Sequence, residues 1–100
     1  MLVLAGSVRI DPAQRSDATL AAIEVMRETR KRPGCISCVF STDLDDPGVL
    51  HVFQEWESAE AFELHLSDPR IEAVRLRLAS LGVREAAIQR YAVQSTGPIV

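Results

Sequence analysis

Residues 49–66 read VLHVFQEWESAEAFELHL, and the fold turns on how this stretch divides. Its first part, Val49-Leu50-His51-Val52-Phe53, is a run of strand type, rich in apolar and β-branched side chains. Trp56 stands at the strand end, Glu57-Ser58 make a turn, and a helix then carries His65. Ser58 is a good N-cap, because its hydroxyl can take up a free amide of the first turn. Ala61 and His65 are four apart and share a helical face, with Phe62 and Leu66 in a parallel row. An indole at the strand end and an imidazole on the helix therefore look into one cleft between sheet and helix. That cleft is the candidate site.

Upstream, Asp43-Leu44-Asp45-Asp46-Pro47-Gly48 has the composition of a hairpin turn. It joins a strand Cys35–Thr42 to a strand Val49–Trp56. Cys35 and Cys38 form a C-x-x-C, but Pro33-Gly34 precedes them and Val39-Phe40 follows, which reads as turn into strand. A redox thiol needs the pKa-lowering N-terminus of a helix, and residues three apart on a strand face opposite ways. A zinc finger is excluded as well, since His51 and His65 lie too far apart to act as its second ligand pair. Neither a redox role nor a metal site is expected.

Further upstream, a helix runs from about Pro12 or Ser16 to Arg32. Ala18, Ala22, Val25, Met26 and Thr29 recur at helical spacing on its inner face. The cations Arg27, Arg30, Lys31 and Arg32 in its last turn suit the helix dipole, so they are not read as a nucleic-acid patch. Leu2–Ile10 is a first strand, ended by Asp11-Pro12. Downstream, the central helix reaches Ser67-Asp68, and Pro69 breaks or restarts it. A further helix carries Ile71, Val74, Leu78 and Leu81 on one side up to Gly82. In Val83–Gln94 the alanines and glutamate favour helix, while Tyr91 and Val93 favour strand; strand is the reading adopted. Residues 1–95 form one domain, and 96–100 a tail.

The composition is that of an ordinary globular chain, with 47% hydrophobic and 25% charged residues over 100 positions. A formal charge of −3 gives no electrostatic reason to seek nucleic acid or an anionic membrane. No apolar run approaches the roughly 20 residues of a membrane helix. The opening MLVLAGSVRI lacks the basic flank and length of a signal peptide and reads as strand, so a cytoplasmic location is expected.

The element order is β-α-β-β-α-β. This is an α+β, ferredoxin-like plan, with helices on one face of a four-stranded antiparallel sheet. A sheet with one wet face should alternate apolar and polar residues. Here Val49, Leu50, Val52 and Phe53, like Leu2 to Ala5, are apolar on both faces. The chain's own helices cover only one side. A second copy of the sheet is the simplest cover for the other, which predicts a homodimeric α/β barrel.

Ala5-Gly6-Ser7-Val8-Arg9, Pro33-Gly34-Cys35, Glu55-Trp56-Glu57-Ser58, Ala61, His65, Ser67-Asp68-Pro69 and Arg90-Tyr91 resemble, in order and spacing, the antibiotic biosynthesis monooxygenase family. The resemblance covers nearly the whole chain. It implies a dimeric α/β barrel, and it admits several activities: cofactor-free oxygenases of phenols and quinols, haem-degrading enzymes and small-metabolite isomerases. Many relatives carry a His where this chain has Arg70 and an aromatic where it has Cys38. The haem-degrading branch wants an Asn at Ser7 and an axial His near Ala73 or Val74. Both are missing, so haem is discounted.

The resemblance implies oxidation of a small phenolic or quinol-type aromatic by dioxygen without metal, flavin or other cofactor. His65 then serves as base or hydrogen-bond partner near neutral pH. Trp56 stacks on the ring or donates through its indole N–H. Ser7 and Arg9 share a strand face with Val3 and Ala5; if that face looks at the helices, Arg9 can hold a negative oxygen at the pocket mouth. Met26, Phe40, Phe62 and Tyr91 supply walls. Against this stand plainer roles: His65 bridging backbone groups, Trp56 and Met26 as core, and Glu55 and His51 at a dimer interface. The alternatives for the whole protein are a non-catalytic or ligand-binding dimeric barrel of stress or accessory type, or an isomerase of the same fold.

Overall fold

The computed structural model describes residues 1–100, apart from the side chain of Glu85. The chain runs β1 (Leu2–Arg9), a single 3-10 turn (Pro12–Gln14), α1 (Arg15–Arg30), β2 (Cys35–Thr42), β3 (Val49–Trp56), α2 (Ala59–Leu66), α3 (Pro69–Ser80) and β4 (Arg84–Ala92). The four strands form one sheet in the order β2-β3-β1-β4, and every neighbouring pair is antiparallel. This is the ferredoxin-like arrangement, with α2 and α3 together making the second crossover.

Local chemistry sets the boundaries. Ser58 Oγ accepts from the Ala61 amide at 3.1 Å and starts α2. Asp68 Oδ1 accepts from the Arg70 amide at 2.8 Å, and Pro69 occupies the first turn of α3. In the β2–β3 turn, Asp43 Oδ2 accepts from the amides of Asp45 and Asp46. Asp43 Oδ1 lies 2.7 Å from His51 Nε2. That contact, together with the two amides, holds the Asp43 carboxyl down to about 2. Three bounds differ from the sequence reading. The 3-10 turn precedes α1, which closes at Arg30, leaving Lys31 and Arg32 in the turn beyond. Ile10 leaves the sheet after β1, its amide bonded to the Gly48 carbonyl at 2.9 Å. β4 is shorter than Val83–Gln94 at both ends.

The register decides which side chains meet. Leu2, Leu4, Gly6 and Val8 oppose Trp56, Gln54, Val52 and Leu50, so these face the helices together. Two buried clusters form there: Leu2, Leu4, Trp56 and Phe62 at one end, Ile10, Ala18, Ala22 and Leu50 at the other. The opposite face carries Val3, Ala5 and Ser7 beside Glu55, Phe53 and His51. It looks away from the helices. Val39, Phe53 and Tyr91 stand 44%, 41% and 48% exposed on it.

The C-x-x-C corrects a rule of alternation. β2 carries an irregularity between Cys35 and Ser37, so Cys35 pairs with Trp56 and Cys38 with Gln54. An extra residue in one strand resets the pleat, and both thiols turn to the helix side. Cys35 packs on the Trp56 cluster, and Cys38 is fully buried. Both are free. Burial pushes the Cys38 thiol up to about 12, the reverse of what a reactive thiolate requires.

Two glycines are required by close approach. A Cβ on Gly6 would lie 2.0 Å from the Ala87 carbonyl oxygen on β4. Gly34, at φ +84°, has its carbonyl bonded to the Glu57 amide, and a Cβ there would lie 2.5 Å from Ala61 Cβ. Gly34 thus lets α2 settle against the start of β2.

Candidate functional site

Between the helix-facing side of the sheet and the helices lies an open-mouthed cavity of about 530 Å³, within the usual range for small-molecule sites. Its floor is Leu4, Val8, Phe40, Leu50, Val52 and Gln54 from the sheet. α1 contributes Ala22, Val25 and Thr29; α2 contributes Phe62, His65 and Leu66; α3 contributes Ile71, Arg75, Leu78 and Ala79. Val83, Ile88 and Arg90 complete the wall at the β4 side. The lining is mostly apolar, and the polar groups are few: Gln54, Thr29, His65, Arg75 and Arg90.

His65 sits in the last turn of α2 and is 6% exposed. Its Nδ1 is buried and has no hydrogen-bond partner among the described residues. Burial lowers the imidazole pKa below its ordinary value, and the Arg32 guanidinium lowers it further. The ring is therefore neutral at pH 7 and can accept a proton or a hydrogen bond. Arg32 is itself held by an ion pair with Asp68, which links the end of α1 to the start of α3.

Trp56 is fully buried, and its ring centroid lies 5.0 Å from that of His65. Phe62 stands 5.7 Å from Trp56 and 6.4 Å from His65. The indole N–H donates to Gln54 Oε1 at 2.9 Å. Trp56 therefore backs the imidazole without lining the hollow, and its one polar atom is committed to Gln54, which does line it. Thr29 Oγ1 is also buried without a partner of ordinary hydrogen-bond geometry; the Cys38 thiol is its polar neighbour.

Of the residues singled out from the sequence, the structure brings His65, Phe40 and Phe62 to the cavity wall, with Trp56 directly behind. Met26 is half-buried on α1 and lies outside the lining. Ser7 and Tyr91 lie on the far side of the sheet. The Val3–Ala5–Ser7 face looks away from the helices, so the condition for Arg9 at the pocket mouth is not met. Arg9 instead pairs with Asp46 at 3.1 Å, and the Tyr91 hydroxyl donates to Gln89 Oε1 at 3.0 Å. Gln54 and Arg75 have no role in the sequence reading, Thr29 is read there only as part of the inner face of α1, and Arg90 only as part of the family motif. Gln54 was readable: it shares strand parity with Trp56 and is the one polar residue in the row Leu50, Val52, Gln54, Trp56. Among the described residues no group of three His, Cys, Asp or Glu side chains converges as a metal site. Among the described residues no helix is long and apolar enough to cross a membrane.

Comparison with known proteins agrees with this architecture. The chain is 23% identical over 95 residues to the uncharacterized protein sll1783 of Synechocystis, covering 95% of this chain and 65% of that one. It therefore spans about two-thirds of the length of this curated relative. A crystal structure from Deinococcus radiodurans, of a protein named for the antibiotic biosynthesis monooxygenases, superposes with a TM-score of 0.93 at 22% identity, over 100% of this chain and 99% of that one. Rv0793 from Mycobacterium tuberculosis superposes with a TM-score of 0.82 at 24% identity, over 97% of each chain. At such identities these structures establish the fold alone. The family model described as antibiotic biosynthesis monooxygenase matches residues 1–76, and the chain belongs to the antibiotic biosynthesis monooxygenase family.

Proposed function

We propose that this protein is a cofactor-independent monooxygenase of a small phenolic or quinol-type aromatic, working as a homodimer. The observation that carries the reading is His65, a buried, neutral imidazole on the wall of an apolar cavity, whose Nδ1 has no hydrogen-bond partner among the described residues. An aromatic ring lies against Phe40, Val52 and Phe62, and its hydroxyl gives a proton to His65. The resulting anion is electron-rich and passes one electron to dioxygen. Recombination forms a carbon–oxygen bond, the O–O bond then breaks, and the second oxygen leaves as water. The substrate supplies all four electrons: a quinol and dioxygen give a hydroxyquinone and water. The protein's part is to orient the ring, exclude water and handle the proton.

Dimerisation is supported by the sheet face that the helices leave uncovered, where Val39, Phe53 and Tyr91 are exposed. The test of the activity is oxygen uptake with a panel of quinols and naphthols under labelled dioxygen. Uptake of one dioxygen per substrate, with one labelled atom in the product, is expected. His65→Ala should lose about 100-fold or more in rate. Uptake no greater than in buffer across the panel overturns the proposal and leaves a ligand-binding barrel.

A further inference from the structure

The ends of the cavity differ in charge. The deep wall is apolar around His65, and the lining residues that are also exposed, Leu66, Arg75, Ala79, Ile88 and Arg90, mark the mouth. Two of these five are arginines, and among the described residues no carboxylate lines the cavity. Each guanidinium has a glutamate partner that stands outside the lining, so the groups that look into the mouth are donors. Arg90 is also held in place. Its Cζ lies 5.4 Å from the Phe62 ring centroid, and its Nη2 donates to Glu63 Oε1 at 2.9 Å. Arg75 is on α3, bonded to Glu72 at 3.2 Å. Both ion pairs are exposed to water, and pairs of this kind are weak, so either guanidinium can turn a donor to a ligand. Phe62 spans the two regions, with His65 6.4 Å away on one side and Arg90 stacked on the ring.

We infer that the ligand of this cavity is an aromatic acid, with its ring and hydroxyl at His65 and its carboxylate held at the mouth by Arg75 and Arg90. The inference rests on the reading of the cavity as a substrate site and names the class of substrate. A guanidinium fork matches a carboxylate in two parallel hydrogen bonds. Two such groups beside a low-dielectric hollow favour an acid over its neutral analogue and leave the apolar end to enter.

The test compares 6-hydroxy-2-naphthoate with 2-naphthol by titration calorimetry. The two share a ring and a hydroxyl, and the carboxylate of the first lies at the far end of the ring. The naphthoate should bind about tenfold tighter at low salt, with the advantage shrinking as salt screens the exposed arginines. Replacing both residues, Arg75→Gln with Arg90→Gln, should erase the advantage, bringing the ratio of the two affinities in that variant to about one. Arg75→Lys should retain part of it. Equal binding of the two probes overturns the inference and leaves the proposed activity standing. An advantage that survives the double replacement also overturns it, by placing the carboxylate elsewhere. If neither probe binds, the cavity is not an aromatic site, and the proposed function falls together with the inference.

Discussion

At the scale of single residues, His65 and Trp56 divide their labour. Burial makes the imidazolium form of His65 unfavourable in the folded chain. In the unfolded chain the same ring takes up a proton near its ordinary value of about 6.5. Between that pH and the lower folded value, the unfolded state binds more protons. Stability should therefore fall as pH drops through this window and be fully present above it. Urea titrations at pH 7 and 5.5 would detect this slope, and His65→Gln should flatten it. Replacing Arg32 by Gln should raise the His65 pKa, because a neighbouring cation is removed; an NMR titration of the ring reads the shift directly. Trp56→Ala should cost about 3–5 kcal/mol, since a fully buried large side chain leaves a void. In a domain this size that is a large share of the total. The sequence showed that these two rings belong together, through the strand–turn–helix spacing. It did not show which ring would face the hollow, because both are amphipathic and only packing orders them in depth.

Among the elements, most was legible where a local signal exists. The Asp43–Gly48 turn, the Ser58 cap and the Asp68-Pro69 restart are short-range chemistry, and β2, β3 and α2 follow from them. The facing of β1 was not legible. Leu2 and Leu4 on one side and Val3 and Ala5 on the other are equally apolar, so periodicity gives no parity, and Ser7 and Arg9 depend on a condition that the register fails; Tyr91, expected on the wall outright, pairs with Val3 and so turns to the far side with it. The irregularity at Cys35–Ser37 has no marker in the sequence either, yet it decides where both thiols point. Gly34 offers a test at this scale. Gly34→Ala meets both a positive φ and the Ala61 methyl, and should cost about 1–3 kcal/mol. Adding Ala61→Gly should restore only the steric part, as thermal melts of the single and double variants would show.

For the molecule as a whole, the sheet is the dividing wall. One face carries the cavity and the helices. The other carries Phe53 and Tyr91, both exposed, with no described element of the chain across them. The association proposed above should give twice the chain mass in light scattering at micromolar concentration. Phe53→Arg should yield a single subunit, and because Phe53 points away from the cavity, naphthol binding should outlast that loss. A wild-type chain that scatters as one subunit would remove the dimer while leaving the cavity argument intact.

The contact between Trp56 and His65 has a practical consequence. The chain has one tryptophan in its 100 residues, and its ring lies 5.0 Å from the imidazole. Its ultraviolet emission is therefore a built-in optical gauge that needs no attached dye. Charging the neighbouring ring quenches indole light, so acid should dim the emission at the His65 midpoint, while the His65→Gln chain should stay bright.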